Sequence, residues 1–333
     1  MTIRPGPRNL ITDVPGIAVG NAEDRRAWTG VTVVLPDRAV VAAVDVRGGG
    51  PGTRETTAMD ASSGVPTVDA IVLSGGSAFG LDAAQGAMDW LAARGRGVAV
   101  GSARVPIVPA AILFDLLNGG DKGWATLPYR ALALAACEGA GPDFALGNAG
   151  AGHGAKAGPL KGGLGSVSAV MPDGATIGAL VAANPVGSVV MPGTGTFWAW
   201  AFEQAGELGG QRPPTAPVTM DPEITTSAEP GANTTLAVVA TDVDLTRDEC
   251  LRLAIMAQDG FARAIRPVHT PFDGDVVFAL STGRRAAGPN RARRVADLGA
   301  VAADCVARAV ARGVFEAETL GAKPGYREAF ARS

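Results

Sequence analysis

The sequence has few of the residue types that build metal sites and disulfide frameworks, with 3 cysteines and 2 histidines in 333 residues. Cys137, Cys250 and Cys305 are odd in number and far apart, so neither a disulfide framework nor a CxxC pair can be drawn, and we expect small buried thiols. His153 and His269 are also far apart, and a zinc site would have to recruit scattered carboxylates. The sequence therefore indicates no metal and no cofactor.

Charge and long apolar runs are also scarce. Charged residues make up 18% of the chain and the net charge is −3, so no basic surface points to a nucleic acid. No run of about 18 apolar residues is present, which excludes a membrane-spanning helix, and the first residues lack the apolar centre of a signal peptide. With 47% hydrophobic residues, the composition is that of a folded chain. We expect a cytoplasmic protein without nucleic-acid or membrane partners.

Glycine is abundant, at 46 residues, but the glycine motifs of nucleotide-binding proteins are missing. Neither GxxxxGK[ST] nor GxGxxG occurs. The hydrolase elbow G-x-S-x-G is absent too, because the segment 75–79 (GGSAF) ends in Phe79 where the elbow requires glycine. Nucleotide binding would therefore rest on glycine content alone.

Hydrophobic periodicity predicts strands and helices in irregular alternation. Short β-branched runs over residues 31–35 and 40–46 predict two strands, which we expect to pair with each other. Further strands are expected over 70–73, 166–171, 175–183, 234–243 and 275–281, and helices over 78–94, 128–137, 246–265 and 291–318. Residues 147–165 hold eight glycines and predict no regular element. Because hairpins join several of the strands, the pattern favours α+β layers over a doubly wound parallel sheet.

One junction in the sequence can carry chemistry. Residues 203–232 are polar and rich in Pro, Gly, Glu and Thr, which predicts a mobile linker, and they run directly into the strand that starts at Thr234. There the Thr234 hydroxyl could attack the Asn233 carbonyl, and hydrolysis of the resulting ester would leave Thr234 as a new N-terminus. Its α-amine, with a pKa near ~7.7–8.0, could then help to deprotonate the hydroxyl. An ordinary linker followed by a strand fits the same residues.

Beyond this junction, the sequence resembles the DmpA family, the L-aminopeptidase/D-esterase group of self-cleaving peptidases, over nearly its whole length. The matching segments are 45–49 (DVRGG), 73–81 (LSGGSAFGL), 108–115 (VPAAILFD), 147–165, 183–187 (ANPVG), 233–242 (NTTLAVVATD) and 273–275 (DGD). The Asn-Thr junction and the Asp-Gly-Asp segment are most similar to the branch with nylon-oligomer hydrolases and a pantetheine hydrolase. The resemblance implies a four-layer αββα sandwich, an α+β fold, in a single domain over residues 1–333.

The resemblance also implies self-cleavage between Asn233 and Thr234. The products would be an α chain of residues 1–233 and a β chain of residues 234–333. Proteins of this kind are homo-oligomers, so we expect a tetramer of αβ protomers.

Catalytic roles follow from the same resemblance. Thr234 matches the nucleophile, and Asn184 matches the side-chain donor of the oxyanion hole. Asp273 and Asp275 match positions that orient the nucleophile and its amine, and the two carboxylates could also hold a substrate ammonium group. Without the resemblance, the Asp-Gly-Asp segment also fits a turn before a strand, and Asn184 with the following proline fits a turn that ends one.

Four further residues are candidates in the same site. The nylon-hydrolase relatives have a catalytic lysine in the glycine-rich segment, for which Lys161 is the better match and Lys156 the weaker one; a lysine that only pins this segment is the alternative. Phe114 stands where those relatives have a tyrosine, so a phenol donor is missing from the expected substrate pocket. His153 lies in the glycine-rich segment and could line that pocket.

These observations favour a self-processing amide hydrolase of the aminopeptidase type, which forms an acyl-enzyme on Thr234 and acts on a small amide or peptide substrate. One alternative is an acyltransferase of the ornithine acetyltransferase type, which would share the fold and the threonine but pass the acyl group to an amine. The other is an unprocessed, non-catalytic homologue, which only the departure at Phe114 supports.

Overall fold

Two five-stranded sheets form the centre of the computed structural model, which describes residues 2–60, 62–65, 67–219 and 233–331. Over these residues the strands in chain order are β1 Ile17–Asp24, β2 Thr29–Pro36, β3 Val41–Val46, β4 Gly52–Arg54, β5 Ile71–Ser74, β6 Val98–Val100, β7 Ala103–Val105, β8 Ala110–Ile112, β9 Lys156–Ala157, β10 Leu160–Lys161, β11 Gly163–Val170, β12 Thr176–Ala183, β13 Leu236–Val243 and β14 Val276–Arg285. The first sheet has the order β1-β2-β5-β8-β4, and the second has the order β11-β12-β13-β14-β3. The pairs β6-β7 and β9-β10 form two small ladders beside them.

Helices cover the outer face of each sheet. The described residues contain α1 Ala83–Ala92, α2 Tyr129–Glu138, α3 Arg247–Ala264, α4 Arg291–Glu316 and the short α5 Tyr326–Ala329. Helix α3 starts at a capping box, in which the Thr246 hydroxyl accepts from the Glu249 N–H and the Glu249 carboxylate accepts from the Thr246 N–H. None of the helices in the described ranges is both long and apolar enough to cross a membrane.

Three hydrophobic cores separate the layers. The first sheet packs on α1 and α2, and the second sheet packs on α3 and α4. Between them, the inner faces of both sheets share a third core. Successive side chains of β13 point into two different cores: Val238 faces the other sheet, and Val239 faces the helices. The expected αββα sandwich is therefore confirmed.

The strand pairing at the centre of the second sheet determines where the segments that carry Asn184, Thr234 and Asp275 lie. Strand β13 is antiparallel to β12 and parallel to β14, and its first residue, Leu236, lies opposite Ala182 of β12 and Val276 of β14. The end of β12 and the starts of β13 and β14 therefore meet at one edge of the sheet. The segments that carry Asn184, Thr234 and Asp275 are the ones that extend from this edge.

The predicted pairing of the strands over 31–35 and 40–46 is wrong. Strand β2 pairs with β1 and β5 in the first sheet, whereas β3 pairs with β14 in the second. The short connection between β2 and β3 carries the chain from one sheet to the other, and Val40 bridges to Val68 on the way. Periodicity identifies a strand but not its partner, and the weakly apolar β1, which takes one side of β2, had no signal in the sequence.

The expectation that residues 147–165 form no regular element is also wrong, and the expected linker is described only in part. The glycine-rich segment 147–165 contains β9, β10 and the start of β11, because its glycines serve close packing rather than a loop: a Cβ on Gly165 would lie 1.9 Å from the Ala309 carbonyl oxygen of α4. In the expected linker, the Glu203 carboxylate accepts from the N–H groups of Leu208, Gly210 and Gln211, and the mobility of the segment stays a prediction. Residues 220–232 of this prediction lie outside the described ranges.

Candidate active site

Thr234 lies just before β13 and is almost completely buried, at 1% exposure. Its backbone N–H donates to the Asn184 carbonyl oxygen at 2.8 Å, which ties it to the end of β12. Its hydroxyl donates to the carbonyl oxygen of Asn233 at 2.5 Å. The structure therefore holds the expected nucleophile against the carbonyl of the peptide bond that the sequence singled out.

The Asn233 carbonyl oxygen has a second donor, the backbone N–H of Gly274, at 3.0 Å. Asn233 and Asp273 form an isolated parallel bridge, which aligns the two segments ahead of β13 and β14. A donor in this position can stabilise negative charge on the oxygen if the carbonyl is attacked. A Cβ on Gly274 would lie 2.6 Å from the Thr234 Oγ1, so the position requires glycine. Sequence reasoning treated this glycine only as a spacer between two aspartates.

The Asn184 side chain is fully buried and its amide is fixed at both ends. Its Oδ1 accepts from the backbone N–H of Lys156 at 2.9 Å, and its Nδ2 donates to the Phe114 carbonyl oxygen at 3.2 Å. An amide nitrogen carries two hydrogens, so one remains available for another acceptor. The backbones of Lys156 and Phe114, two residues predicted from sequence, are thus bound to Asn184, whose own carbonyl accepts from Thr234.

The Asp273 carboxylate ties down two neighbouring segments. Its Oδ1 accepts from the Val186 N–H at 3.1 Å, and its Oδ2 accepts from the N–H and the hydroxyl of Thr270 at 3.0 and 2.6 Å. Burial, together with the negative charge of Asp275, raises the pKa of Asp273. Within the described ranges neither carboxylate hydrogen-bonds to Thr234 itself; each one holds the backbone around it.

Asp275 links the strand of Thr234 to a histidine. Its Oδ1 accepts from the Thr235 N–H at 2.8 Å. Its Oδ2 contacts His269 Nδ1 at 2.9 Å and accepts from the His269 N–H at 3.2 Å. Sequence reasoning considered His269 only as a metal ligand, and the signal that was missed is its position shortly before the Asp-Gly-Asp segment.

Lys161 is buried and makes the contacts of a residue that pins the glycine-rich segment. Its ammonium donates to the carbonyl oxygens of Gly152 at 3.0 Å and Gly162 at 2.7 Å. Burial lowers its pKa to about 7, against the opposing charge of Asp115. Its hydrogen bonds in the described ranges run to this backbone and not to Thr234.

Lys156 lies nearer to the oxyanion candidate than Lys161 does, since its own N–H holds Asn184. The Lys156 side chain is half-buried, and both burial and the charge of Lys323 lower its pKa. Because this contact is made by the backbone of Lys156, it places the residue beside Asn184 but does not place its ammonium group. Which of the two lysines is catalytic stays a prediction.

His153 is buried within the glycine-rich segment, where its Nδ1 pairs with the Asn148 carbonyl oxygen at 3.0 Å. Its Nε2 is buried without a hydrogen-bond partner in the described ranges, and burial lowers its pKa, which favours the neutral ring. Phe114 is half-buried, with its carbonyl bound by Asn184. Whether either residue lines a substrate pocket stays a prediction.

Comparisons with known proteins identify the family of this chain. The model of peptidase family S58 matches residues 9–327. An uncharacterized aminopeptidase of Mycobacterium tuberculosis is 46% identical over 344 residues, covering 97% of this chain and 98% of the relative. A 6-aminohexanoate-oligomer endohydrolase of Paenarthrobacter ureafaciens is 32% identical over 289 residues, covering 83% of this chain and 76% of the relative.

A solved structure gives the same architecture. The L-aminopeptidase D-Ala-esterase/amidase of Ochrobactrum anthropi, described as a variant of the Ntn hydrolase fold, aligns with a TM-score of 0.68 at 23% identity. The alignment covers 97% of this chain and 90% of the other. At this identity the likeness establishes the fold, while the family match over residues 9–327 establishes membership. The chain belongs to peptidase family S58, and it is a hydrolase that acts on amide bonds.

Proposed function

We propose that the protein is a self-processing aminopeptidase that uses Thr234 first to cut its own chain and then to hydrolyse amide substrates. The observation that carries this proposal is the meeting of two groups at one buried carbonyl. The Thr234 hydroxyl lies 2.5 Å and the Gly274 N–H lies 3.0 Å from the Asn233 carbonyl oxygen. A nucleophile and an oxyanion donor are therefore held at the same amide bond.

Self-cleavage would begin with attack of the Thr234 Oγ1 on the carbonyl carbon of Asn233. The hydroxyl loses its proton, and the Gly274 N–H supports the negative oxygen of the tetrahedral intermediate. Collapse breaks the bond to the Thr234 nitrogen, which takes up a proton and becomes a free amine, and an ester remains on Oγ1. Water then hydrolyses the ester and gives an Asn233 carboxylate and a free Thr234 hydroxyl.

Turnover would use the two groups that this cleavage leaves on Thr234. Its amine, which as an amide N–H already donates to the Asn184 carbonyl oxygen, would act as base for its hydroxyl. Attack on a substrate amide forms an ester on Oγ1 and releases the amine product, and water then releases the acid. The free hydrogen of the Asn184 Nδ2 is the side-chain donor for the oxyanion of this step.

The substrate class is a linear amide or peptide with a free amine. A relative named as an aminopeptidase supports the free amine, and a relative named as an endohydrolase of 6-aminohexanoate oligomers supports the linear amide. Asp273 and Asp275 are both buried at 1% exposure, and their oxygens contact donors of the chain itself, so their binding of a substrate ammonium group stays a prediction. A single domain, a tetramer of αβ protomers and a cytoplasmic location remain predictions.

The test is the intact mass of the purified protein over one day, compared with Thr234→Ala. Wild type should convert from 33.5 kDa to two species of about 23 and about 10 kDa, in proportion to 233 and 100 of 333 residues, with Thr234 at the new N-terminus. Thr234→Ala should stay whole and inactive, because it lacks the attacking oxygen, whereas Thr234→Ser should still be cut.

Thr246→Ala is the matched control, because it removes a hydroxyl from the cap of α3, which follows β13 at the end opposite Thr234. It should lower stability by about 1 kcal/mol and leave cleavage intact. A wild-type chain that stays whole, or a Thr234→Ala chain that is still cut and active, would refute the proposal.

A further inference from the structure

His269 makes a two-point contact with the carboxylate that supports the residue after Thr234. Its ring Nδ1 and its backbone N–H both reach the Asp275 Oδ2, at 2.9 and 3.2 Å, while the Asp275 Oδ1 accepts from the Thr235 N–H at 2.8 Å. We propose that His269 is a positioning residue, which fixes the Asp275 carboxylate and through it the backbone on both sides of the cleaved bond. This inference rests on the proposed function of Thr234.

The local backbone indicates that this contact is built rather than incidental. His269 adopts a φ of +54°, in the left-handed region that residues with a side chain rarely occupy. Such conformations persist where the surroundings determine them, often at functional sites. Here the conformation directs the His269 Nδ1 and backbone N–H to one oxygen, and the ring forms an edge-to-face pair with Phe261 of α3, with 6.1 Å between ring centroids.

The path from His269 to the reacting atoms is short. Asp275 follows Gly274, whose N–H donates to the Asn233 carbonyl oxygen, and the Asp275 carboxylate holds Thr235, which follows Thr234. Asp275 therefore fixes the positions of both groups at the Asn233 carbonyl, the Thr234 hydroxyl and the Gly274 N–H. If Asp275 turned away, the Thr234 Oγ1 and the Gly274 N–H would lose their alignment on that carbonyl.

Charge gives a second reason for an imidazole at this position. Asp275 is buried at 1% exposure and lies close enough to Asp273 for its charge to raise the pKa of that neighbour. Two buried carboxylates need hydrogen-bond donors. In the His269–Asp275 pair, solvent reaches the His269 side chain, which is 23% exposed. A ring N–H can keep Asp275 in one orientation at a smaller desolvation cost than a fully buried cation.

The experiment compares His269→Ala, His269→Asn and His269→Gln in the full chain. The asparagine amide can place a donor near the former Nδ1, the glutamine amide extends beyond it, and alanine has none. We expect His269→Ala and His269→Gln to slow self-cleavage about tenfold or more, and His269→Asn to stay within about threefold of wild type. In processed protein, kcat on an amino-acid p-nitroanilide should fall in the same order, with KM changed less than about twofold.

Val268→Ala is the control in the same loop, because Val268 packs on the core and donates no side-chain hydrogen bond. It should lower Tm but leave the rate of cleavage within about twofold of wild type. The inference fails if His269→Ala cleaves as fast as wild type, if His269→Asn and His269→Gln behave alike, or if the rate tracks Tm across all four variants. Should His269→Ala not fold, the Asn and Gln pair decides the question. A wild-type chain that is never cut would instead overturn the proposed function, and this inference with it.

Discussion

Gly274 meets two demands that only a residue without a side chain can satisfy. Its N–H must reach the Asn233 carbonyl oxygen, and its α-carbon must pass beside the Thr234 hydroxyl. A Cβ there would lie 2.6 Å from Oγ1 and 2.8 Å from the Gly50 carbonyl oxygen, and the backbone oxygen has little freedom to move away. Glycine at this position is therefore a requirement of the proposed chemistry as well as of the local backbone.

Gly274→Ala should slow self-cleavage by about tenfold or more, because the new methyl group displaces Oγ1 or the segment that carries the oxyanion donor. The measurement is the rate at which the 33.5 kDa chain disappears. Gly64→Ala is the control, since a Cβ at Gly64 meets no atom of the described residues within 4 Å. Equal rates for wild type and Gly274→Ala would show that this close approach is unimportant.

Lys161 makes stability depend on pH in a predictable direction. Its pKa falls from 10.5 to about 7 on burial in the folded chain, so between these values the unfolded chain binds one more proton than the folded chain. The free energy of unfolding should therefore rise with pH across this window. Below about pH 7 the lysine is protonated in both states and contributes no slope.

Lys161→Met removes this titration and keeps a similar volume. Both proteins are compared in a Thr234→Ala background, which keeps the chain whole. With increasing pH, the free energy of unfolding of the protein that keeps Lys161 should rise relative to that of Lys161→Met. The difference should grow by at most about 1.4 kcal/mol per pH unit between about pH 7.5 and 9.5. Urea denaturation at several pH values measures the difference. Parallel pH profiles would mean that the buried amine does not titrate in this range.

At the scale of elements, the site exists because three strand ends meet. Asn184 follows β12, Thr234 precedes β13 and Asp275 precedes β14, and the register of Leu236 with Ala182 and Val276 aligns them. The sequence predicted these residues through resemblance and the strands through periodicity. It could not predict which strands pair, because side-chain alternation is the same for any partner, so the roles of Gly274 and His269 emerged only from the structure.

Helix α4 is joined to the segment around Glu207 by a buried ion pair. The Arg308 Nε and Nη2 contact the Glu207 carboxylate at 2.5 and 2.8 Å, and the guanidinium also donates to Ser168 and Asn9. Both side chains are nearly inaccessible, at 1% and 4% exposure. Buried pairs of this kind give little net stability as a pair but leave a costly charge when one partner is lost.

Glu207→Ala should therefore destabilise the protein by about 3–5 kcal/mol, measured as the free energy of unfolding of the uncut Thr234→Ala chain. The double variant Glu207→Leu with Arg308→Met should lose much less, because no unpaired charge stays buried. If the single variant cost under about 1 kcal/mol, solvent would have to reach this pair.

At the scale of the whole molecule, the layer order was predictable and the chain path was not. The αββα arrangement followed from the resemblance, and the three cores confirm it. The crossing from β2 in one sheet to β3 in the other was missed because a short connection between two apolar strands usually indicates a hairpin. The glycines of 147–165 were taken for a loop because their partner, the backbone of α4, is distant in sequence.

The order of strands in the second sheet has a consequence for reversibility. Strands β13 and β14 lie between β12 and β3, so a cut at Asn233 leaves two polypeptides whose strands share one sheet. Before the cut, these strands find one another within a single molecule, and folding does not depend on concentration. After it, unfolded halves must meet by diffusion, and the local concentration that the peptide bond supplied is lost. The protein would thus assemble once as a first-order process, and recovery from denaturation would become second order, favoured by concentration and hardest in dilute solution.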